Sequence, residues 1–380
     1  MRSSRPYQIC SKLVVDTSDP DITFDAAGVS NHYHEFHEKV LPLWQTGPEG
    51  NARLEQTAES IRQSGHGREF DCILGLSGGA DSSYMLHKMV RDYGLRPLVF
   101  HVDAGWNTEL AVHNISCLID GLNLDLFTEV INWEEVKDFQ LAMFKSGMPN
   151  IDLPQDIAFI GVLFHYAKKH GIKYVLNGGN ISTECVGYPL DYFYYADMKM
   201  VRAVLSRYGQ VEMDTYPFSS SFDRKIVMPF LYGVTMFKPL NLMPYFKAEA
   251  MSELEREYGW KPYAQKHFES RFTRFFEGYW LPTRFGYDVR RVQFSSMILT
   301  GQMTRDEALA ALEQPPYDSE LIQQDFDYVA AKLGIDPGEL HHYHEMEKKF
   351  YWDCPNNKKS LEFGEKIIRA ALNTKRGGAY

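Results

Sequence analysis

From residue 51 to residue 179 the sequence alternates between short apolar runs and longer stretches of helical periodicity. The apolar runs are FDCILGL (70–76), LRPLVFHVD (95–103), LDLFTEVI (124–131) and KYVLNGG (173–179). Each has the length and apolar character of a strand buried in a parallel sheet. Helical patterns fill the intervals, at about 51–64, 82–93, 109–122, 133–146 and 155–170. Strands and helices joined by short connections predict an α/β fold, a doubly wound parallel sheet. Right-handed crossovers place the residues that follow each strand along one edge, where ligands of such sheets bind. That edge collects 77–82, 103–107, Asn132 and 177–184.

Residues 1–50 are irregular and rich in Asp, Pro, Gly and His. After about 260 helical patterns dominate, at roughly 263–279, 288–300, 304–313, 318–333, 337–350 and 358–372. The expected organisation is an N-terminal lobe (1–50), an α/β domain (51–260) and a helical C-terminal region (261–380).

Composition narrows the class of protein. Hydrophobic residues at 44% and charged residues at 24% suit a soluble globular chain. A net charge of -10 disfavours a nucleic-acid partner. No apolar run approaches the roughly 18 residues of a membrane span, and the first twenty residues lack the apolar core of a signal peptide. Cys10, Cys72, Cys117, Cys185 and Cys354 are scattered, with no two at a metal-binding spacing, and read as reduced thiols. A cytoplasmic location is expected.

The junction CILGLSGGADSSYMLH (72–87) carries the chemistry. It lacks the lysine of a Walker A loop, and Ser77 breaks the dinucleotide pattern G-x-G-x-x-G. What remains is S-G-G-x-D-S between a strand and a helix. Gly78 and Gly79 let backbone N–H groups face an anion, Ser77 and Ser82 add hydroxyls, and the following helix adds its positive end. Asp81 would repel a bare phosphate, so a Mg²⁺ shared by Asp81 and phosphate oxygens is expected. A tight turn with a capping acid is the plainer alternative.

SGGADSS resembles the PP-loop of the ATP pyrophosphatases, the fold group of asparagine, GMP and NAD synthetases. The resemblance implies ATP and Mg²⁺ as cofactors, with Leu76, Ser77, Gly78, Gly79, Asp81 and Ser82 around the pyrophosphate. FHVDAGWNTELAVHNI (100–115) is similar to the segment that lies against adenine, implicating Val102 and Asp103. VLNGGNISTE (175–184) is similar to the fourth-strand loop, which implies roles for Gly178 and Gly179 at ATP and for Asn180 and Glu184 at the substrate. FKPLNLMPYFKAEAMSELEREYGW (237–260) resembles the late motif and makes Lys247, with Asp81, the catalytic candidate. A solvated lysine at a helix start is the plainer reading of Lys247.

The stretch 263–312 resembles the N-acetyl sugar amidotransferases of surface-polysaccharide biosynthesis, the WbpG or PseA type, and the likeness runs from about 7 to 373. Phe268, Phe272, Phe275 and Tyr279 form one apolar helical stripe. His267, Arg271 and Arg274 lie beside it, with Lys266, Arg290 and Arg291 nearby, as candidates for an anionic substrate. Salt bridges with Glu269, Glu277 and Asp288 are the alternative. This family converts an N-acetyl group of a sugar, expected to be nucleotide-linked, into an acetamidino group through an O-adenylyl imidate, in O-antigen (lipopolysaccharide) synthesis. It implies ammonia from a separate glutaminase, with a barrel-type partner resembling the histidine-pathway synthase. No glutaminase signature occurs in this chain.

One departure stands out. The family opens with two Cys-x-x-Cys pairs that read as a zinc site. Here Cys10 remains, but Leu13, Ser30 and Tyr33 occupy the other positions, so no zinc is expected and Leu13 and Tyr33 are expected to pack instead. Three rivals stay open: an RNA-modifying ligase or thiolase with the same loop, a sulfonucleotide reductase, and a non-catalytic nucleotide-binding protein.

Overall fold

The computed structural model describes residues 5–371, with side chains through residue 364. One parallel sheet contains β1 (Cys72–Gly75), β2 (Pro97–Asp103), β3 (Leu126–Val130), β4 (Tyr174–Leu176) and β5 (Thr235–Phe237) in the order β3-β2-β1-β4-β5. From β1 the chain steps to β2 and then β3, through the helices Ala80–Arg91 and Glu109–Leu122. It then crosses the opposite face through Trp133–Ser146 and Leu153–Lys169 and forms β4 on the other side of β1. Strand order reverses between β1 and β4, which opens a crevice beyond their carboxyl ends.

The alternation of side chains along each strand sorts the core into two layers. Ile73, Leu98, Phe100 and Val175 face one layer, whereas Cys72, Leu74, Val99 and Leu176 face the other. The second layer is closed by the helices Pro48–Ser64, Ala80–Arg91, Glu109–Leu122 and Lys247–Tyr258. Local signals set the helix ends. Thr108 Oγ1 accepts from Ala111 N at 3.1 Å, Asn132 Oδ1 accepts from Glu134 N at 3.1 Å, and Gly147 takes φ +74° at the end of Trp133–Ser146.

The N-terminal lobe shares the first layer with the C-terminal helices. Leu13, Ile22 and Phe36 belong to the same apolar cluster as Phe272, Trp280 and Phe326. Arg305 donates to the carbonyls of Cys10 and Leu13, each at 3.0 Å. Arg291 donates to Val14 O at 2.9 Å and pairs with Asp16 at 3.0 Å. Cys10 Sγ accepts from Ser30 N at 3.2 Å, Leu13 is fully buried, and the Tyr33 ring sits 4.4 Å from that of His37.

One expectation about local structure is corrected. The helix expected over 263–279 begins only at Arg271, because Ser270 Oγ caps Thr273 N at 3.2 Å and a bridge joins Ser270 to Asn107. Phe268 therefore lies outside the helical stripe, although it is buried. Beyond Phe275 the helix widens into π-type turns through Phe285. No expectation covered β5, three residues at the sheet edge with none of them fully buried. The last helix runs Lys358–Ala371; residue 372 of the expected helix and the rest of the expected region to 380 lie outside the described residues. Among the described residues no helix is long and apolar enough to cross a membrane.

Candidate functional site

The crevice is built from the two loops that leave β1 and β4. Gly78 adopts φ +84°, and a Cβ there would come within 2.9 Å of Ala111 O, so a side chain is excluded by both conformation and space. The Gly78 carbonyl accepts from Trp260 Nε1 at 3.1 Å and Tyr263 Oη at 3.2 Å, which fixes that peptide plane. Ser77 Oγ and Ser82 Oγ lie 3.2 Å apart at the loop's mouth. A Cβ on Gly178 would crowd Ser82 N at 3.1 Å, so the two loops meet where glycine permits the closest approach. Asn180 caps the short helix Ile181–Glu184 through Thr183 N at 2.9 Å.

Charge converges on Asp81. Lys266 Nζ stands 3.0 Å from Asp81 Oδ2 and 2.5 Å from Glu184 Oε1, with Thr183 Oγ1 at 3.2 Å. Tyr245 Oη donates to Asp81 Oδ1. Burial disfavours the Asp81 carboxylate, but the ammonium groups of Lys266 and Lys247 and the Tyr245 hydroxyl outweigh it and hold the carboxyl at about 2. Burial also opposes the charge on Lys266, yet the carboxylates of Asp81 and Glu184 push its ammonium above the ordinary lysine range. Lys247 opens the helix Lys247–Tyr258, and burial lowers its ammonium despite Asp81. Asp81 stays anionic and Lys266 cationic across the physiological range.

A cavity of about 670 Å³ spans this crevice. Its lining includes Ser77, Gly79, Asp81, Ser82, Gly178 and Gly179 from the two loops, together with Lys247. Phe159, Leu163, Val175 and Leu176 form an apolar wall. Glu184 and Lys266 join that charged lining beside Asp81, and His267, Arg290, Gln293, Phe294 and Met297 line the same cavity. Several candidates lie outside it. Leu76 is buried below the loop, Gly78 and Asn180 shape the two turns, and Val102 and Asp103 end β2 beyond the cavity lining. Arg271 and Arg274 both bind the buried carboxylate of Asp325, and Arg291 anchors the N-terminal lobe. Arg290 is satisfied by Asp288 at 2.7 Å and by the carbonyls of Ala311 and Gln314.

Sequence reasoning overlooked Tyr245 and took Glu269 and Glu277 only as partners for the arginines. Tyr245 sits two residues before Lys247, the one local hint available. Glu277 is buried and bonds His267 Nδ1 at 2.9 Å. Burial opposes charge on His267, but Glu277 prevails and lifts the imidazole from 6.5 to about 9. Such a group stabilises the fold fully below its unfolded value and loses that contribution as pH rises through about 9. The His267 side chain is 32% exposed, so solvent screening reduces the effect to about 1–2 kcal/mol. Stability of the native protein is expected to fall between about pH 6.5 and pH 9, and His267→Gln to flatten that slope. Urea melts across this range check it, and parallel curves for the two proteins would contradict it.

The fold and the cavity define a doubly wound α/β protein with a glycine loop at its switch point. Residues 269–368 match the family model described as LPS biosynthesis protein WbpG-like, C-terminal domain. Comparison with curated proteins gives no match. Among solved structures, NMN synthetase from Francisella tularensis is similar at 14% identity, covering 78% of this chain and 97% of that chain, with a TM-score of 0.33. NH3-dependent NAD synthetase from Campylobacter jejuni is 14% identical over 79% of this chain and 99% of that chain, with a TM-score of 0.33. NAD+ synthetase from Burkholderia pseudomallei is 19% identical over 60% and 96%, with a TM-score of 0.27.

Proposed function

We propose that this chain is an ATP-dependent amidotransferase that converts an N-acetyl group of a nucleotide-linked sugar into an acetamidino group, in the synthesis of a lipopolysaccharide O-antigen or related surface glycan. One observation carries the reading. The glycine loop and the WbpG-like region, far apart in sequence, line one cavity: Ser77, Asp81 and Ser82 meet Glu269, Arg290, Gln293 and Phe294 there.

In this reading the acetamido oxygen attacks the α-phosphorus of ATP. The new O–P bond forms as the bond to pyrophosphate breaks, leaving an O-adenylyl imidate. Ammonia then adds to the imidate carbon, the C–O bond breaks, and AMP departs with the original oxygen. An amide carbon is a poor electrophile with a poor leaving group, and adenylylation corrects both. The loop amides and the hydroxyls of Ser77 and Ser82 hold the departing pyrophosphate, while Lys247 adds positive charge beside it. The carboxylates of Asp81 and Glu184 already converge on one ammonium, so a cation fits between them. Mg²⁺ arriving with ATP would neutralise the leaving group there. Ammonia is largely protonated at neutral pH, so a partner glutaminase, acting through a barrel-type subunit, supplies it.

The test combines ATP, Mg²⁺, an ammonium salt and a panel of nucleotide-activated acetamido sugars. Pyrophosphate release that needs the sugar, and ammonia as well for more than one turnover, with a product lighter by about one dalton as NH replaces O, is the expected result. ATP cleavage that ignores every sugar, or that releases only orthophosphate, would overturn the reading.

A further inference from the structure

The segment 265–270 already supplies the charges that the proposed ligand would bring. Lys266 Nζ lies between Asp81 and Glu184, at 3.0 and 2.5 Å, where a small cation would be held. Three residues on, Glu269 turns its carboxylate toward the glycine loop. Its Oε1 accepts from Ser77 Oγ at 3.3 Å and lies 2.6 Å from where a Cβ on Gly79 would be. A carboxylate therefore rests against the backbone that a polyphosphate would touch.

The segment is neither helix nor strand. It is tied down at both ends, through Lys261 N to Asn114 Oδ1 at 2.8 Å and through the bridge between Ser270 and Asn107. Between these ties His267 adopts φ +66°, a left-handed conformation uncommon for a side chain of this size. Lys266 and Glu269 flank this residue, whose own ring is held by Glu277.

We infer that Lys266 and Glu269 are specificity-determining residues: a tethered cation and anion that fill the cleft of the free protein and yield only to a metal and a polyphosphate arriving together. This rests on the proposed reading of the loop as a metal–nucleotide site. A divalent ion alone must displace Lys266 while Glu269 still covers the loop. A nucleotide without metal brings its negative charge against Asp81, Glu184 and Glu269. When both enter, the ion takes the two carboxylates and the phosphates take the amides. The ammonium of Lys266 is then released toward the phosphates, beside Lys247. Metal and nucleotide each raise the affinity for the other by the same factor.

The experiment measures Mn²⁺ binding by electron paramagnetic resonance, and binding of α,β-methylene ATP by calorimetry, on the full chain. Wild type is expected to bind each probe alone at least about tenfold more weakly than in the presence of the other. Lys266→Gln, which removes the one ammonium shared by Asp81 and Glu184, should tighten Mn²⁺ alone by about tenfold or more. Glu269→Gln should tighten the metal-free analogue by a similar factor, whereas Lys266→Arg and Glu269→Asp, which keep the charges, should behave as wild type. If Lys266→Gln and Glu269→Gln bind their probes no tighter than wild type while the metal–nucleotide pair still binds, this inference alone fails. If no protein binds even the pair, the inference falls together with the proposed function.

Discussion

Asp81→Asn is expected to lower pyrophosphate release from ATP by about a thousandfold, a loss on the order of 4 kcal/mol in transition-state stabilisation. The substitution preserves shape and removes only charge. Asp81 is ionised in the folded protein because Lys266, Lys247 and Tyr245 overcome the cost of its burial. A neutral amide holds a divalent ion far more weakly than a carboxylate, so the departing pyrophosphate would lose most of the charge that neutralises it. Lys266 keeps Glu184 and Thr183 as partners, so the fold is expected to survive. Steady-state kinetics with the best acetamido sugar, read beside a thermal melt, checks the prediction. Turnover within about threefold of wild type would contradict it.

The largest effect on stability is expected at Asp325. Its carboxylate is wholly buried and receives Arg271 Nε, together with Arg274 Nε and Nη2, each of the latter at 2.8 Å. These bonds fasten the helix Arg271–Phe275, which follows directly on the segment 265–270, to the helix Ser319–Leu333. Arg271 also lies over the Tyr328 ring, 3.8 Å from its centroid. Asp325→Asn leaves two guanidinium groups facing an uncharged amide in a mostly dry site, at a cost of about 3 kcal/mol. By contrast, Glu59→Gln, which breaks an exposed pair with Arg62, should leave the urea midpoint essentially unchanged. Urea denaturation of the two variants measures both, and a change below about 1 kcal/mol for Asp325→Asn would show that the cluster is not a fastening.

The first four strands were legible because each lies in an apolar run bounded by turns, buried in β1 and most of β2 and only half-buried in the edge strand β3, and the helices between them because their caps are local. Thr108 and Asn132 mark two starts in plain sequence, and Glu109–Leu122 and Trp133–Ser146 appear with the ends the sequence suggested. The misread stretch, 263–270, failed for a physical reason. Phe268 continues the spacing of Phe272, Phe275 and Tyr279, so periodicity extends the helix backwards, while Ser270 and the bridge to Asn107 end it. The glycine loop was equally legible, since its chemistry lies within six consecutive residues. What could not be read was the pairing across the crevice. Nothing near Lys266 announces Asp81 and Glu184, and nothing near Asp325 announces that it takes up Arg271 and Arg274, two cations whose spacing alone suggested an anion site. Such partners become neighbours only when the sheet and the C-terminal helices close on each other.

The central claim is that the turn after β1 grips the two phosphates ATP gives up. A crystal of the protein grown with Mg²⁺ and α,β-methylene ATP tests it most directly. The account predicts the β- and γ-phosphates on the backbone amides of Gly78 to Ser82 and the hydroxyls of Ser77 and Ser82, with the metal on Asp81 and Lys266 displaced from it. Phosphates bound elsewhere in the cavity, with Lys266 still seated between Asp81 and Glu184, would contradict it.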